Sequence, residues 1–303
     1  MQSMSAPFPW FGGKSRVAHL VWPRFGDVPN YVEPFAGSLA VLLGRPTQPK
    51  TETVNDKDCF LANFWRAIQA EPDTVAAHCG AAVIECDLEA RRRWVFDAPE
   101  RAAFRAHMFC DHEYYDAEIA GWWVWGVCAT IGGHWKPLSL HLGDAGCGVH
   151  KPGLHLGDAG RGVHNWFEAL SARLCRVRVK CGDWTGVISP TVTTHQGITG
   201  MFLDPPYDSE CCTDVYGVND LVGSAVAAWA IEHVGDPKMR IALCGYEGEH
   251  DMPPDWECVP WKAKGGYGSR NPDNQNKHRE RIWFSPECLR PSDMLFDMEA
   301  IGI

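Results

Sequence analysis

The sequence has no apolar run long enough to cross a membrane, and its start, MQSMSAPFPW, lacks the charged and apolar regions of an export signal. We therefore expect a soluble protein that is not exported. The 13 cysteines include no C-x-x-C pair and are scattered along the chain, so we expect most of them to be reduced thiols in or near the core.

The sequence also lacks an excess of positive charge. Its net charge of −10 argues against a protein that coats nucleic acid through its overall electrostatic field. Basic residues are nevertheless concentrated in three stretches, 91–93, 173–180 and 262–281. Each stretch is either a local phosphate-binding surface or an ordinary solvated face.

Short apolar runs alternate with segments of helical periodicity, which predicts an α/β fold. We predict strands at 31–35 and 51–55, a helix ending at 43 and another helix at 58–70. The alternation resumes late in the chain, where the predicted elements are strands at 176–181, 200–203, 239–245 and 281–285 and a helix at 221–233.

The segment between these two parts differs in character, and we interpret it as an inserted region. The predicted division is 1–84, first part of a catalytic domain; 85–165, insertion; and 166–303, second part. Within the insertion, the tryptophan-rich segment 122–131 is either a stacking surface or simply a buried helix. HLGDAGCGVH at 141–150 recurs as HLGDAGRGVH at 155–164, and its histidine spacing fits no common zinc module, so we predict no metal site.

The apolar run 201–203 leads into Asp204-Pro205-Pro206-Tyr207. Prolines cannot continue the hydrogen-bond ladder of a sheet, so the strand must end there. The break leaves a carboxylate, free carbonyl groups and an aromatic ring facing a cleft, a set suited to binding a planar ring that carries an amine. The alternative is a plain strand followed by a Pro-Pro turn.

Three further elements precede this motif. Trp10, Gly12, Gly13 and Lys14 combine an aromatic ring, a glycine pair and a cation, and the segment 33–38 places small residues at a strand-to-helix junction. Asp56 follows Gly37 by about 20 residues, the spacing at which an acid binds ribose hydroxyls in dinucleotide sites.

Together, PFPWFGGK, YVEPFAGS, TVNDKD, VKCGDW and FLDPPYD resemble the D12 class of DNA adenine-N6 methyltransferases, the family of Dam, and their order resembles that of the alpha group of amino-methyltransferases. The resemblance implies a Rossmann-like sheet with an inserted target-recognition region, and S-adenosylmethionine as cofactor. It assigns the cofactor site to Trp10, Gly12, Gly13, Lys14, Glu33, Pro34, Phe35, Gly37, Ser38, Asp56, Asp183 and Asp204. One position departs from the family pattern, since Leu39 stands where a second glycine is common.

The resemblance also implies the reaction, methyl transfer to the N6 amine of an adenine flipped out of duplex DNA, in the cytoplasm of a bacterium or a phage-infected bacterial host. Asp204 and the carbonyl of Pro205 would accept the hydrogens of the amine, Pro206 would complete the motif, and Tyr207 would stack on the base. Expected DNA contacts are Trp135, Lys136, Lys151, Arg161, Lys264 and Arg270. Cytosine N4, adenine in RNA, and a catalytically silent nucleic-acid-binding module stay open as alternatives.

Overall fold

The computed structural model of the chain describes residues 4–8, 10, 14, 16–81, 84–130, 135, 160–206, 222–261 and 279–291. Within them, seven strands form one sheet. These strands are β1 (Asn30–Glu33), β2 (Thr51–Asp56), β3 (Arg178–Cys181), β4 (Thr199–Leu203), β5 (Met239–Tyr246), β6 (Glu257–Pro260) and β7 (Glu280–Phe284).

The order of the strands is β3-β2-β1-β4-β5-β7-β6. The first five are parallel, and β7 runs antiparallel between β5 and β6. From β1 the chain proceeds outward to β2 and β3, and it then returns to place β4 on the other side of β1. The order therefore reverses between β1 and β4, and in open α/β sheets the crevice at the carboxyl ends of the strands at such a point is where ligands bind.

The described residues also contain nine helices, and two of them show clearly why they begin where they do. The Asp58 side chain caps one by accepting from the backbone N–H of Phe60 at 2.9 Å, and the Asp116 side chain caps another by accepting from Ile119 at 2.8 Å. The helices are α1 (Ala18–Phe25), α2 (Ala40–Leu43), α3 (Cys59–Ala70), α4 (Pro72–Cys79), α5 (Glu85–Phe96), α6 (Arg101–Cys110), α7 (Ala117–Ala129), α8 (Gly160–Leu174) and α9 (Val222–Glu232).

Helix α7 contains most of the tryptophan-rich segment, and it is almost entirely buried against α3 and α4. Asn63 on α3 fixes its start, because its amide donates to the carbonyl of Asp116 at 2.9 Å and accepts from the N–H of Asp116 at 2.7 Å. Trp123 and Trp125 lie in the core. The buried-helix interpretation of this segment is therefore confirmed for residues 122–129, the part that belongs to α7. The division of the chain into three parts stays a prediction.

The ring of Trp135 packs edge-on against Phe96 and Trp125, with centroid separations of 5.5 and 6.1 Å, and the residue is buried. A side chain that contacts DNA must lie at the surface, so the buried position of Trp135 differs from the one that the expected DNA contact requires. The sequence pattern did not separate an exposed from a buried tryptophan here, because aromatic rings serve both roles equally well.

The predicted strands are confirmed to within two residues at each end, and the predicted 221–233 helix is found as α9. Strand β6 was missed: it is a four-residue edge strand that ends in Pro260, a residue that argues against a central strand. Ten cysteines lie in the described residues, all as free thiols, and six of them are buried or half-buried. No helix in this part of the chain combines the length and the apolar character that a bilayer span needs.

A buried ion cluster joins α8 to the sheet. Glu52 on β2 accepts from Arg173 of α8 at 2.7 and 3.0 Å and from Arg45 at 3.2 Å, and its side chain is 1% exposed. The two guanidinium groups also donate to backbone carbonyls, those of Leu42 and Val28. The cluster ties the loop after α2, strand β2 and the last turn of α8 to one another.

Candidate active site

Four carboxylates gather at the carboxyl edge of the parallel strands. Glu33 is the last residue of β1 and Asp56 the last of β2, while Asp183 lies two residues beyond β3 and Asp204 directly follows β4. Because these strands are parallel neighbours, their carboxyl ends meet at one edge. Glu33 and Asp204 flank the point where the strand order reverses.

Lys14 and Asp204 form an ion pair at the end of β4, with Nζ 3.0 Å from Oδ1 and side-chain exposures of 6% and 20%. The Lys14 ammonium also lies 5.3 Å from the ring centroid of Trp261. Burial acts to lower the pKa of Lys14, but the charge of Asp204, with further contributions from Cys244 and Glu280, raises this pKa above its ordinary value. The cation is therefore retained, and it restricts the orientation of the carboxylate.

The turn after β1 is held from three directions at Gly37. Its N–H donates to Asp56 Oδ2 at 3.0 Å, its carbonyl accepts from the indole N–H of Trp65 at 3.1 Å, and the ring of Trp10 covers its Cα. A side chain would not fit, because a Cβ would lie 2.9 Å from Trp10 Nε1 and the φ angle is +48°. The glycine of the predicted turn is thus required both by conformation and by the approach of Trp10.

Leu39, which replaces the usual second glycine, has φ +54° and ψ +26° and so adopts the left-handed conformation itself. That conformation costs a residue with a side chain about 1–2 kcal/mol. The side chain of Leu39 is fully buried, and this burial offsets a cost of that size. The turn therefore keeps its shape without the glycine.

Asp56 and Asp183 differ in electrostatic state. Asp56 is half-buried and accepts from the N–H groups of Gly37 and Asp58, and burial, followed by repulsion from Asp58, raises its pKa to about 6. Asp183 is exposed, and hydrogen bonds from the hydroxyl of Thr185 at 2.6 Å and from its N–H at 3.0 Å lower the Asp183 pKa. At neutral pH both groups are carboxylate acceptors.

Glu33 lies deeper, at 2% exposure, and accepts from the Tyr31 hydroxyl at 3.0 Å. Burial raises its pKa well above the ordinary value, the hydrogen bond from Tyr31 opposes this effect, and the charge of Asp204 adds to it. Beside Glu33, the half-buried rings of Phe35 and Trp184 stack with their centroids 6.2 Å apart. The site thus combines acceptors with a partly exposed aromatic wall.

The structure brings together the described members of the predicted site. Besides the residues above, Pro34 and Ser38 lie in the same turn as Gly37, and Pro205 and Pro206 follow Asp204 without strand structure. Sequence reasoning missed Trp65 and Trp261, whose side chains reach the site from distant segments. Gly12, Gly13, Tyr207, Lys136, Lys151, Lys264 and Arg270 lie outside the described residues, as does the side chain of Arg161, whose backbone belongs to α8.

Among the described residues, no group of three or more His, Cys, Asp or Glu side chains is arranged to hold a metal ion. The described histidine of the repeat, His164, instead has Nδ1 2.7 Å from Oδ1 of Asp73. His141, His150 and His155 lie outside the described residues.

Residues 10–96 match the model of the D12 class N6 adenine-specific DNA methyltransferases, which confirms the resemblance over that segment. The matched segment covers less than half of the chain and includes Trp10, Lys14, Glu33, Gly37 and Asp56, while the mainly parallel seven-stranded sheet is consistent with a methyltransferase fold. A search of curated proteins finds no match to this chain.

Proposed function

We propose that this protein is a DNA methyltransferase with a Rossmann-like sheet that transfers the methyl group of S-adenosylmethionine to the N6 amine of an adenine in duplex DNA. One observation carries the proposal: the Asp204 carboxylate, paired with Lys14 at 3.0 Å, lies at the reversal point of the sheet. The turn 33–38 and Asp56 lie at the same edge of the sheet. Both are inside the segment that matches the adenine methyltransferase family.

The residues at this edge suit the cofactor, which when bound supplies an electrophilic methyl group. S-adenosylmethionine presents mainly donors and positive charge: an ammonium group, two ribose hydroxyls, an adenine amine and a sulfonium. The edge presents acceptors, with Asp56 for the ribose hydroxyls, Asp183 for the adenine amine and Glu33 for the methionine part. Gly37, without a side chain, lets the ring of Trp10, itself a proposed cofactor contact, lie against the backbone of the turn.

The same edge suits an adenine amine as the acceptor of the methyl group. This amine is a poor nucleophile because its lone pair is delocalised into the ring. Hydrogen bonds from the amine to Asp204 and to the carbonyl of Pro205 localise the lone pair on nitrogen, and the ion pair with Lys14 at 3.0 Å orients the carboxylate for this task. The nitrogen loses one proton after transfer, along the hydrogen bond to Asp204. Positioning then accounts for most of the catalysis.

The target adenine must leave the base stack to reach these groups, because its amine is inaccessible within the duplex. Tyr207, the last residue of the Asp204–Tyr207 motif, is the proposed stacking partner of the extruded base. Contacts to DNA from Lys136, Lys151, Arg161, Lys264 and Arg270 also stay proposals.

The test is methyl transfer from labelled S-adenosylmethionine to plasmid DNA, followed by digestion and mass spectrometry of the nucleosides. We expect N6-methyladenine in duplex DNA. N4-methylcytosine, or a product formed only with RNA, would contradict the assignment of the methyl acceptor. If the protein is folded and binds DNA but yields no methylated nucleoside, it is a catalytically silent binding module and the proposed activity is wrong.

Cofactor affinity should depend on the ionisation of Asp56, whose pKa is raised to about 6. The carboxylate that accepts from the ribose hydroxyls is present above this value and is lost as the pH falls through it. A hydrogen bond to a charged acceptor is stronger than one to a neutral acceptor by about 1.4 kcal/mol. We therefore expect the Kd for S-adenosylmethionine to rise about tenfold when the pH falls from about 7.5 to about 5. Calorimetric titration measures this, and Asp56→Asn should bind weakly at every pH. An unchanged pH profile in that variant would contradict the role of Asp56.

A further inference from the structure

Asn55, the residue before Asp56 on β2, connects two turns of the candidate site. Its side-chain amide donates to the carbonyl of Pro34 at 3.0 Å and to the carbonyl of Gly182 at 3.1 Å. Its own backbone carbonyl accepts from the N–H of Ala36 at 2.8 Å. The residue is 1% exposed, so these bonds form away from competing water.

The chemistry of this position demands an amide. Both partners of the side chain are carbonyl oxygens, and each needs a donor, which the Nδ2 group provides with its two hydrogens. Pro34 belongs to the turn after β1, which contains Gly37, and Gly182 precedes Asp183 in the turn after β3. Strands β1 and β3 do not touch, because β2 lies between them. Asn55 therefore links two turns that have no strand pairing of their own.

We infer that Asn55 is a positioning residue for the cofactor, which sets the spacing between the turn after β1 and the turn after β3. The inference rests on the proposed function, since it assumes that the cofactor is held between these two turns. Asn55 acts through Pro34 and Gly182 rather than by touching the reacting atoms. Its role is thus in affinity for the cofactor and not in the transfer step.

Asn55→Asp tests this role with almost no change in shape. An ionised carboxylate would face two carbonyl oxygens with no hydrogen to donate, and a protonated one could satisfy only one of them. The two turns should then move apart. We expect the Kd for S-adenosylmethionine, measured by calorimetry, to rise at least about tenfold, because two buried hydrogen bonds that hold the turns are lost. The KM for the cofactor should rise with it, while kcat at saturating cofactor changes little.

Asn30 offers a matched control at the opposite edge of the sheet. It is the first residue of β1, fully buried, and its amide donates to the carbonyls of Val192 and Thr193 and to the hydroxyl of Thr199. Asn30→Asp makes the same chemical change in a similar environment, far from the carboxyl ends of the strands. Asn30→Asp should lower thermal stability as Asn55→Asp does. Because Asn30 is far from the cofactor site, the cofactor Kd should stay within about twofold of the wild-type value.

The outcomes separate the inference from the function on which it rests. Equal Kd values in the two variants would show that Asn55 is merely structural and would overturn the inference, while a wild-type protein that does not bind the cofactor would overturn the proposed function. If Asn55→Asp does not fold, Asn55→Ala decides, because it removes the bonds without adding charge. A cofactor Kd within about twofold of wild type in Asn55→Ala would also overturn the inference.

Discussion

Asp204→Asn should lower kcat for methyl transfer by about 10³-fold, the upper end of what the loss of one electrostatic contact to the reacting group costs. The substitution removes the negative charge that the amine needs as an acceptor and that Lys14 needs as a partner, while it keeps the size of the side chain. Single-turnover assays with saturating S-adenosylmethionine and duplex DNA measure the rate. Because the loss lies in the chemical step, the cofactor Kd should change far less than kcat.

Asp236→Asn provides the comparison for this experiment. Asp236 lies just before β5, at the amino edge of the same sheet, and accepts a local hydrogen bond from the N–H of Lys238 at 2.9 Å. Its replacement should leave kcat unchanged. If Asp204→Asn retained a rate close to that of wild type, the methyl acceptor would have to be activated by another group, and the role proposed for Asp204 would be wrong.

The strands and the four carboxylates at their ends could be predicted from the sequence because both depend on local patterns. A short apolar run followed by an acid, a glycine or a proline identifies the strand and its end in the same few residues, as it does for Glu33, Asp56 and Asp204. Parallel topology then requires that these ends meet at one edge. The order of motifs along the chain was therefore enough to predict where the candidate site lies.

The contacts that hold the site together could not be predicted in this way. Asn55 reaches Gly182, which is 127 residues away along the chain, and no local pattern distinguishes this asparagine from one exposed in a turn. The sequence assigned Lys14 to the cofactor site, but no local pattern indicated its ion pair with Asp204. Leu39 was identified only as a departure from a family pattern. Its left-handed conformation shows that the shape of the turn is enforced by packing.

The largest expected effect on stability is at Glu52. Its removal leaves the guanidinium of Arg173 buried without a carboxylate, and it leaves Arg45 with only Asp27, at 3.5 Å. Breaking a buried ion pair by removing one partner costs about 3–5 kcal/mol, because the remaining charge is uncompensated. We therefore expect Glu52→Gln to lower the free energy of unfolding by about this amount, as measured by urea denaturation. Helix α8 should loosen first, since Arg173 ties its last turn to β2.

An exposed ion pair in the same region gives the contrasting case. Lys50 Nζ lies 2.7 Å from Asp27 Oδ2, but the two side chains are 41% and 51% exposed. Exposed pairs contribute about 0–1 kcal/mol, so Lys50→Gln should change the free energy of unfolding by less than about 1 kcal/mol. The shortest nitrogen–oxygen distance is the same as that between Arg173 and Glu52, so the smaller loss expected at Lys50 does not come from a longer contact. Similar losses in the two variants would mean that the Glu52 cluster is effectively solvated and contributes little to holding α8 against the sheet.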